Sequence, residues 1–492
     1  MYLHDDPKVI WVSSLYGGKS IGTFDAPYTD ISKAIEKARP GNTVVLKAGD
    51  YADSVSVQNS GTITEPIRIV SEDGTKAEVC CRSGWFFYDV SDVIVSGITF
   101  RNIPHQAVSA IGACKRNSFN NLRFVNCGVD KGTPCTFFFG GCGAECNVVE
   151  NCIFEVDQKK DVNRETDLPI GLMISEGDTE VDAEPNINHI FRKNSFINYG
   201  CAIVVGTRDN QYGAYGHVVE NNVIRNCSCD GIRIKCGDTV ARGNVLQKCK
   251  KNGISIVNGK SDVISDNRIE ICETGIYVAG YDCTLTNNCI IKSGKQAVLL
   301  ATKSDENKLL RGNTIIERNT FVDSGIEYGS SSCSDILLDT NSNCIIRLNI
   351  FHGKGKPYIV RGQKRDLLQS GAFHIDDNKV SGGCSPAEGC SEPEISFLDK
   401  EAGNYANLSG YGASGWMAEG PEIPYKESSE TISYKPGDYP KKKVLEQNLN
   451  VKDRYFRSIF MSTKNCDGEE EEDPFAGSRG DDGIIDFSDW DI

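Results

Sequence analysis

Short runs of alternating apolar residues recur through the middle of the chain at a nearly constant interval. Ile203-Val204-Val205, Ile232-Arg233-Ile234, Ile254-Ser255-Ile256, Ile276-Tyr277-Val278 and Val298-Leu299-Leu300 start 29, 22, 22 and 22 residues apart. A period of two turns one set of side chains inward and the next outward, which is the mark of a strand. A second pattern runs in step with the first: Asn, one residue, then an aliphatic or Phe. It stands at Asn194-Ser195-Phe196, Asn222-Val223-Ile224, Asn244-Val245-Leu246, Asn267-Arg268-Ile269, Asn288-Cys289-Ile290, Asn319-Thr320-Phe321 and Asn349-Ile350-Phe351, at intervals of 28, 22, 23, 21, 31 and 30 residues. Repeats of this length built from short strands predict an all-β parallel solenoid, in which stacked coils bury what one coil cannot. Asn in the turns tolerates left-handed backbone and stacks its amide on the next coil. A leucine-rich repeat would need a Leu-x-x-Leu-x-Leu scaffold, and the chain has none.

The two ends break the pattern. Ile31, Ala34, Ile35 and Ala38 share one face of a short predicted helix that stops at Pro40-Gly41, and a strand Thr43–Leu46 follows. Such a helix covers the open first coil, whose unpaired edge otherwise invites aggregation. Regular repeats fade after about Val360. The resulting division is an N-terminal strand and capping helix (1–50), a parallel β-helix (51–380), an irregular C-terminal cover (381–445), and a linker with an acidic tail (446–492).

Charge and composition narrow the function. The 492 residues carry a net charge of −15, but Asp467–Ile492 alone holds eleven acidic residues against Arg479. The tail therefore reads as an acidic segment that docks on a protein partner. A pI near 5.0 argues against nucleic acid, because phosphate contacts need basic surface. No apolar run reaches the ~18–20 residues of a membrane span. The start, Met1 to Asp6, shows no basic and apolar leader pattern, so no signal peptide is visible. The 21 cysteines are an odd number, and most sit in apolar strand-like runs where they read as small buried hydrophobes.

Gly22-Thr23, Pro27-Tyr28-Thr29, Ile31, Pro40-Gly41 and Thr43 resemble the opening of many secreted right-handed β-helix proteins that act on polysaccharides. Ser60-Gly61-Thr62, Pro66-Ile67 and Val95 to Phe100 continue the likeness. It implies a secreted or cell-surface protein. Further on stand Asn198-Tyr199-Gly200 with Gly206, then Asp230 to Lys235, Gly243-Asn244 and Gly253 to Gly259. This stretch resembles the chondroitinase B and alginate lyase family, and the whole likeness runs over roughly residues 8–360. The resemblance implies a lyase of acidic polysaccharides with Lys235 as catalytic base and calcium held by Asn198 and Asp230. It offers Arg164 as a substrate-binding arginine. Two positions depart from the family pattern: Ser228 replaces a second acidic residue, and Val257-Asn258-Gly259 replaces Arg-His-Gly.

The chemistry explains why those residue types matter. A lyase removes the C5 proton of a uronate and expels the group at C4, once the adjacent carboxylate is neutralised by a cation. Lysine serves as base only where a positive neighbour or desolvation lowers its pKa. With Ile232 and Ile234 inward, Arg233 and Lys235 point outward together, and Tyr277 lies in the Arg233 column two coils on as a platform for a sugar ring. Arg233 is the candidate to replace the missing arginine. Arg233-Ile234-Lys235 also resembles a polygalacturonase motif, but the carboxylate motifs that inverting hydrolysis needs are missing. A non-catalytic carbohydrate-binding or assembly protein is the alternative. In the tail, Asp481 to Trp490 resembles half of an EF-hand or dockerin calcium loop, with Ser478 and Gly480 at the first ligand positions.

Overall fold

The computed structural model describes residues 4–413, except 75, 131–134, 158–167, 176–183, 207–213, 302–312, 326–333, 340–342, 362–372, 386 and scattered positions between 393 and 410. Arg164 and the acidic tail lie outside the described residues, as does the calcium-loop-like segment. The described strands pair in parallel, and successive coils each give one strand to each of three sheets. The chain forms two compact units, residues 1–199 with 206–216, and 200–205 with 217–422. No described helix is long and apolar enough to cross a membrane.

In the first unit the predicted helix spans Ile31–Lys37. Asp30 caps it by accepting from the Lys33 amide at 3.2 Å, and Ile31, Ala34, Ile35 and Ala38 are buried. The helix packs on strands Val9–Val12, Thr43–Leu46 and Val55–Val57, as a cover for the first coil should. Behind it the coils are filled by aromatic rings. Phe100 stacks on Phe124 with centroids 5.3 Å apart, Phe124 on Phe154 at 4.6 Å, and Phe154 on Phe196 at 4.5 Å. Such stacking adds to the area each ring removes from water.

The second unit realises the 22-residue repeat. Ile203, Ile232, Ile254, Ile276 and Val298 are partners in register on consecutive strands, and all are buried. Asn222, Asn244, Asn267, Asn288, Asn319, Asn349 and Asn378 form a continuous ladder inside the coils. The Asn267 side-chain amide donates to Ala241 O at 2.9 Å and to Asn288 Oδ1 at 3.0 Å, while its own Oδ1 accepts from the amides of Asn244. Each step thus satisfies backbone groups that would be orphaned at the coil corner.

One detail differs from the sequence expectation. The ladder asparagines are not the left-handed residues. Those precede them: Asn221, Gly243, Asp266, Asn287, Arg318, Leu348 and Asp377 all have positive φ. The corner residue turns the chain, and the next residue points its amide into the turn.

Candidate functional site

Strand Ile232–Ile234 carries the predicted pair. Ile232 and Ile234 are buried in the coil, so Arg233 lies on the opposite face, with Ser255 and then Tyr277 in register beside it. That column is the one expected from the repeat. Its surroundings are not. The repeat points this face outward, yet Lys235 is only 9% exposed, Asp230 3% and Ser255 1%.

Asp230 and Ser255 are held there by a network centred on Asp230. Its Oδ2 accepts from Arg233 Nε at 2.8 Å and from Ser255 Oγ at 2.7 Å. Its Oδ1 accepts from the backbone and side-chain amides of Asn252, at 3.2 and 2.8 Å. Arg233 turns back along its own strand, and its Nη2 donates to Cys229 Sγ at 2.9 Å. Burial works against the guanidinium charge, but Cys201, Asp230 and Cys229 outweigh it and push the Arg233 pKa up. The hydrogen bond from Cys201 holds the Cys229 thiol below its usual value, with Arg233 acting in the same direction, while Cys201 itself is pushed well up. Tyr277, half-buried, is pushed up by burial and then by Asp230 and Asp339. Breaking one partner from an ion pair this buried costs about 3–5 kcal/mol, since the other charge is left alone.

These contacts bear on calcium. Asp230 spends both oxygens on protein donors, and one of them, Arg233, already brings a positive charge to where a cation would sit. The Sγ atoms of Cys201 and Cys229 and a carboxylate oxygen of Asp230 lie within 4.8 Å of one another. Thiols are poor partners for a hard cation that prefers six to eight oxygens. Asn198 has a positive φ, and its amide donates to Val156 O at 2.9 Å within the first unit. The described residues around Asp230 therefore do not fit calcium.

Residues 184–351 match the family of right-handed β-helix regions. The fold is a right-handed parallel β-helix. Among solved structures, the β-helix resembles the PL6 family alginate lyase AlyGC, with a TM-score of 0.64 and 16% identity over 86% of this chain. It also resembles a mannuronic acid specific polysaccharide family 6 lyase from human gut microbiota, with a TM-score of 0.55 and 18% identity, covering 76% of this chain and 91% of the other. The β-helix match spans 59% of the length of AlyGC. A stretch of 124 residues is 24% identical to the uncharacterized protein YwoF of Bacillus subtilis (strain 168), which covers 23% of this chain and 26% of YwoF.

The sequence brought Arg233, Ser255 and Tyr277 together through the repeat. It missed Asn252 and the two thiols. Cys229 sits four residues before Arg233 on the same coil, and one coil's length separates it from Cys201. That spacing was the available signal, hidden because so many other cysteines in the chain are plain core residues. Most described cysteines are indeed buried, and none is disulfide-bonded.

Proposed function

We propose that the protein acts on an acidic, uronate-containing polysaccharide and cleaves it by β-elimination. Lys235 takes the C5 proton, the C5–H electron pair forms the new C4–C5 double bond, and the C4–O bond breaks. The departing oxygen takes a proton from water. Arg233 neutralises the uronate carboxylate; its described hydrogen bonds leave from Nε and Nη2, so the Nη1 edge is the one that meets the substrate. Tyr277 supplies an apolar face for a sugar ring. No step of this reading passes through calcium.

The observation that carries the reading is the placement of two cations, Arg233 and Lys235, around the buried Ile234. Likeness of fold to alginate lyases supports it. A second reading, a non-catalytic solenoid that binds carbohydrate or a protein partner, is favoured by the way Asp230 and Arg233 are engaged with each other.

A panel of polyuronates, followed by the absorbance of the unsaturated product, separates the two. The lyase reading expects product on at least one substrate, unaffected by chelator, and a loss of about 10²–10⁴-fold in Lys235→Ala. Unchanged product release by that variant removes Lys235 as the base, and no product on any polyuronate removes the lyase reading. Binding to a polyuronate without any product supports the second.

A further inference from the structure

The thiols of the Asp230 network have no part in that chemistry. Cys201 and Cys229 lie on neighbouring coils, joined where the Cys229 amide donates to Gly200 O at 2.9 Å. Their sulfur atoms are within 4.8 Å of each other, and both residues are buried. Adjacent parallel strands run about 4.8 Å apart, inside the Cα separation that a disulfide spans. What distinguishes this pair is Arg233, whose Nη2 donates to Cys229 Sγ at 2.9 Å. A guanidinium on the sulfur steadies the negative charge that an attacking thiol must carry.

The same chain provides an internal control. Cys227, Cys249 and Cys272 also stack on consecutive coils, with Cys249 in hydrogen-bond contact with both neighbours. The charged side chain acting on Cys249 and Cys272 is the carboxylate of Asp230, and no guanidinium acts on either. Stacking is common to both groups, and the guanidinium belongs to one.

We propose that Cys229 and Cys201 are a redox-active pair that a small peroxide converts to an inter-coil disulfide, with Cys229 as the attacking sulfur and Cys201 as the resolving one. The Cys229 thiolate attacks one peroxide oxygen, and the O–O bond breaks. The proton that the Cys229 thiol gave up joins the leaving hydroxide as water, and a sulfenic acid remains on Cys229. The Cys201 sulfur then attacks the Cys229 sulfur, the S–O bond breaks, and the Cys201 proton departs with the hydroxide as water. Two thiols are oxidised by two electrons, and hydrogen peroxide is reduced to two waters. The inference does not depend on Lys235 acting as a base.

The test is peroxide titration of the native protein, trapping of remaining thiols, and tryptic mass mapping. Cys201 lies on peptide 194–208 and Cys229 on peptide 226–233, which also holds Cys227. The expected product is a 194–208/226–233 cross-link that survives in Cys227→Ser and vanishes in Cys229→Ser, formed before any loss of Cys249 or Cys272. Arg233→Met is expected to slow it by roughly tenfold and Arg233→Lys to restore most of the rate. If Arg233→Met does not fold, the order of reaction of the two cysteine groups in the wild-type protein decides. Oxidation of Cys249 and Cys272 in parallel with Cys201, or no cross-link between the two peptides, overturns the proposal.

Discussion

The two units fill the same kind of coil by different means. In the first, the space is taken by phenylalanines stacked from coil to coil, Phe100, Phe124, Phe154 and Phe196. In the second, aliphatic residues fill most coils, with a single described ring stack at Phe321 and Phe351, and a file of asparagines binds each corner to the next. Ring stacking tolerates coils of unequal length, since the successive stacked rings stand 24, 30 and 42 residues apart. The ladder unit includes a run of shorter spacings, 22, 23 and 21 residues from Asn222 to Asn288. The shorter, regular coils are also the ones that present Arg233, Ser255 and Tyr277 in one column.

If ring packing contributes most in the first unit and the corner hydrogen bonds contribute most in the second, substitutions should separate them. Phe124→Ala removes a ring packed against Phe100, Phe137 and Phe154 and is expected to cost about 3–5 kcal/mol, read as a lowered denaturant midpoint. Asn267→Ala leaves buried groups on two neighbouring coils without partners and is expected to cost about 1–3 kcal/mol by the same measurement. Equal tolerance of alanine at both positions would erase the contrast.

The finest test uses a second corner file. In the first unit it is built from Asn117, Asn147 and His189, and in the second the equivalent step is Thr239 to Asp262. Asp262 Oδ1 accepts from the Thr239 amide at 2.9 Å, while Oδ2 is buried with no hydrogen-bond partner. Burial pushes this carboxyl well above the usual carboxylate range. The folded chain then keeps a proton that the unfolded chain releases above ~3.9. Its stability is therefore full below that value and falls as pH rises toward the folded pKa, by at most about 1.4 kcal/mol per pH unit. Asp262→Asn should flatten the fall of Tm between about pH 4 and 7; an unaltered slope would show that Asp262 does not cause it.

The repeat made the second unit readable. Strands at Ile203, Ile232, Ile254, Ile276 and Val298 and the asparagine positions were visible because a period of two inside a period of 22 has few structural solutions. The aromatic coils were less legible, since their lengths vary and Phe signals burial without fixing register. At the site, the repeat gave the neighbours but not the direction of long side chains. The repeat points Arg233 outward, whereas Asp230 three residues earlier and Cys229 draw it back along the coil. Rotamer choice in a flexible cation is set by such contacts, which periodicity does not encode.

Each rung amide grips the coil before it and the coil after it, so load on this stack passes from neighbour to neighbour. Drawn out from one end, the second unit should come apart like a zip. Every tooth released between Asn222 and Asn349 would pay out a further 21–31 residues, roughly 70–105 Å of extended chain, before the next one bears the strain.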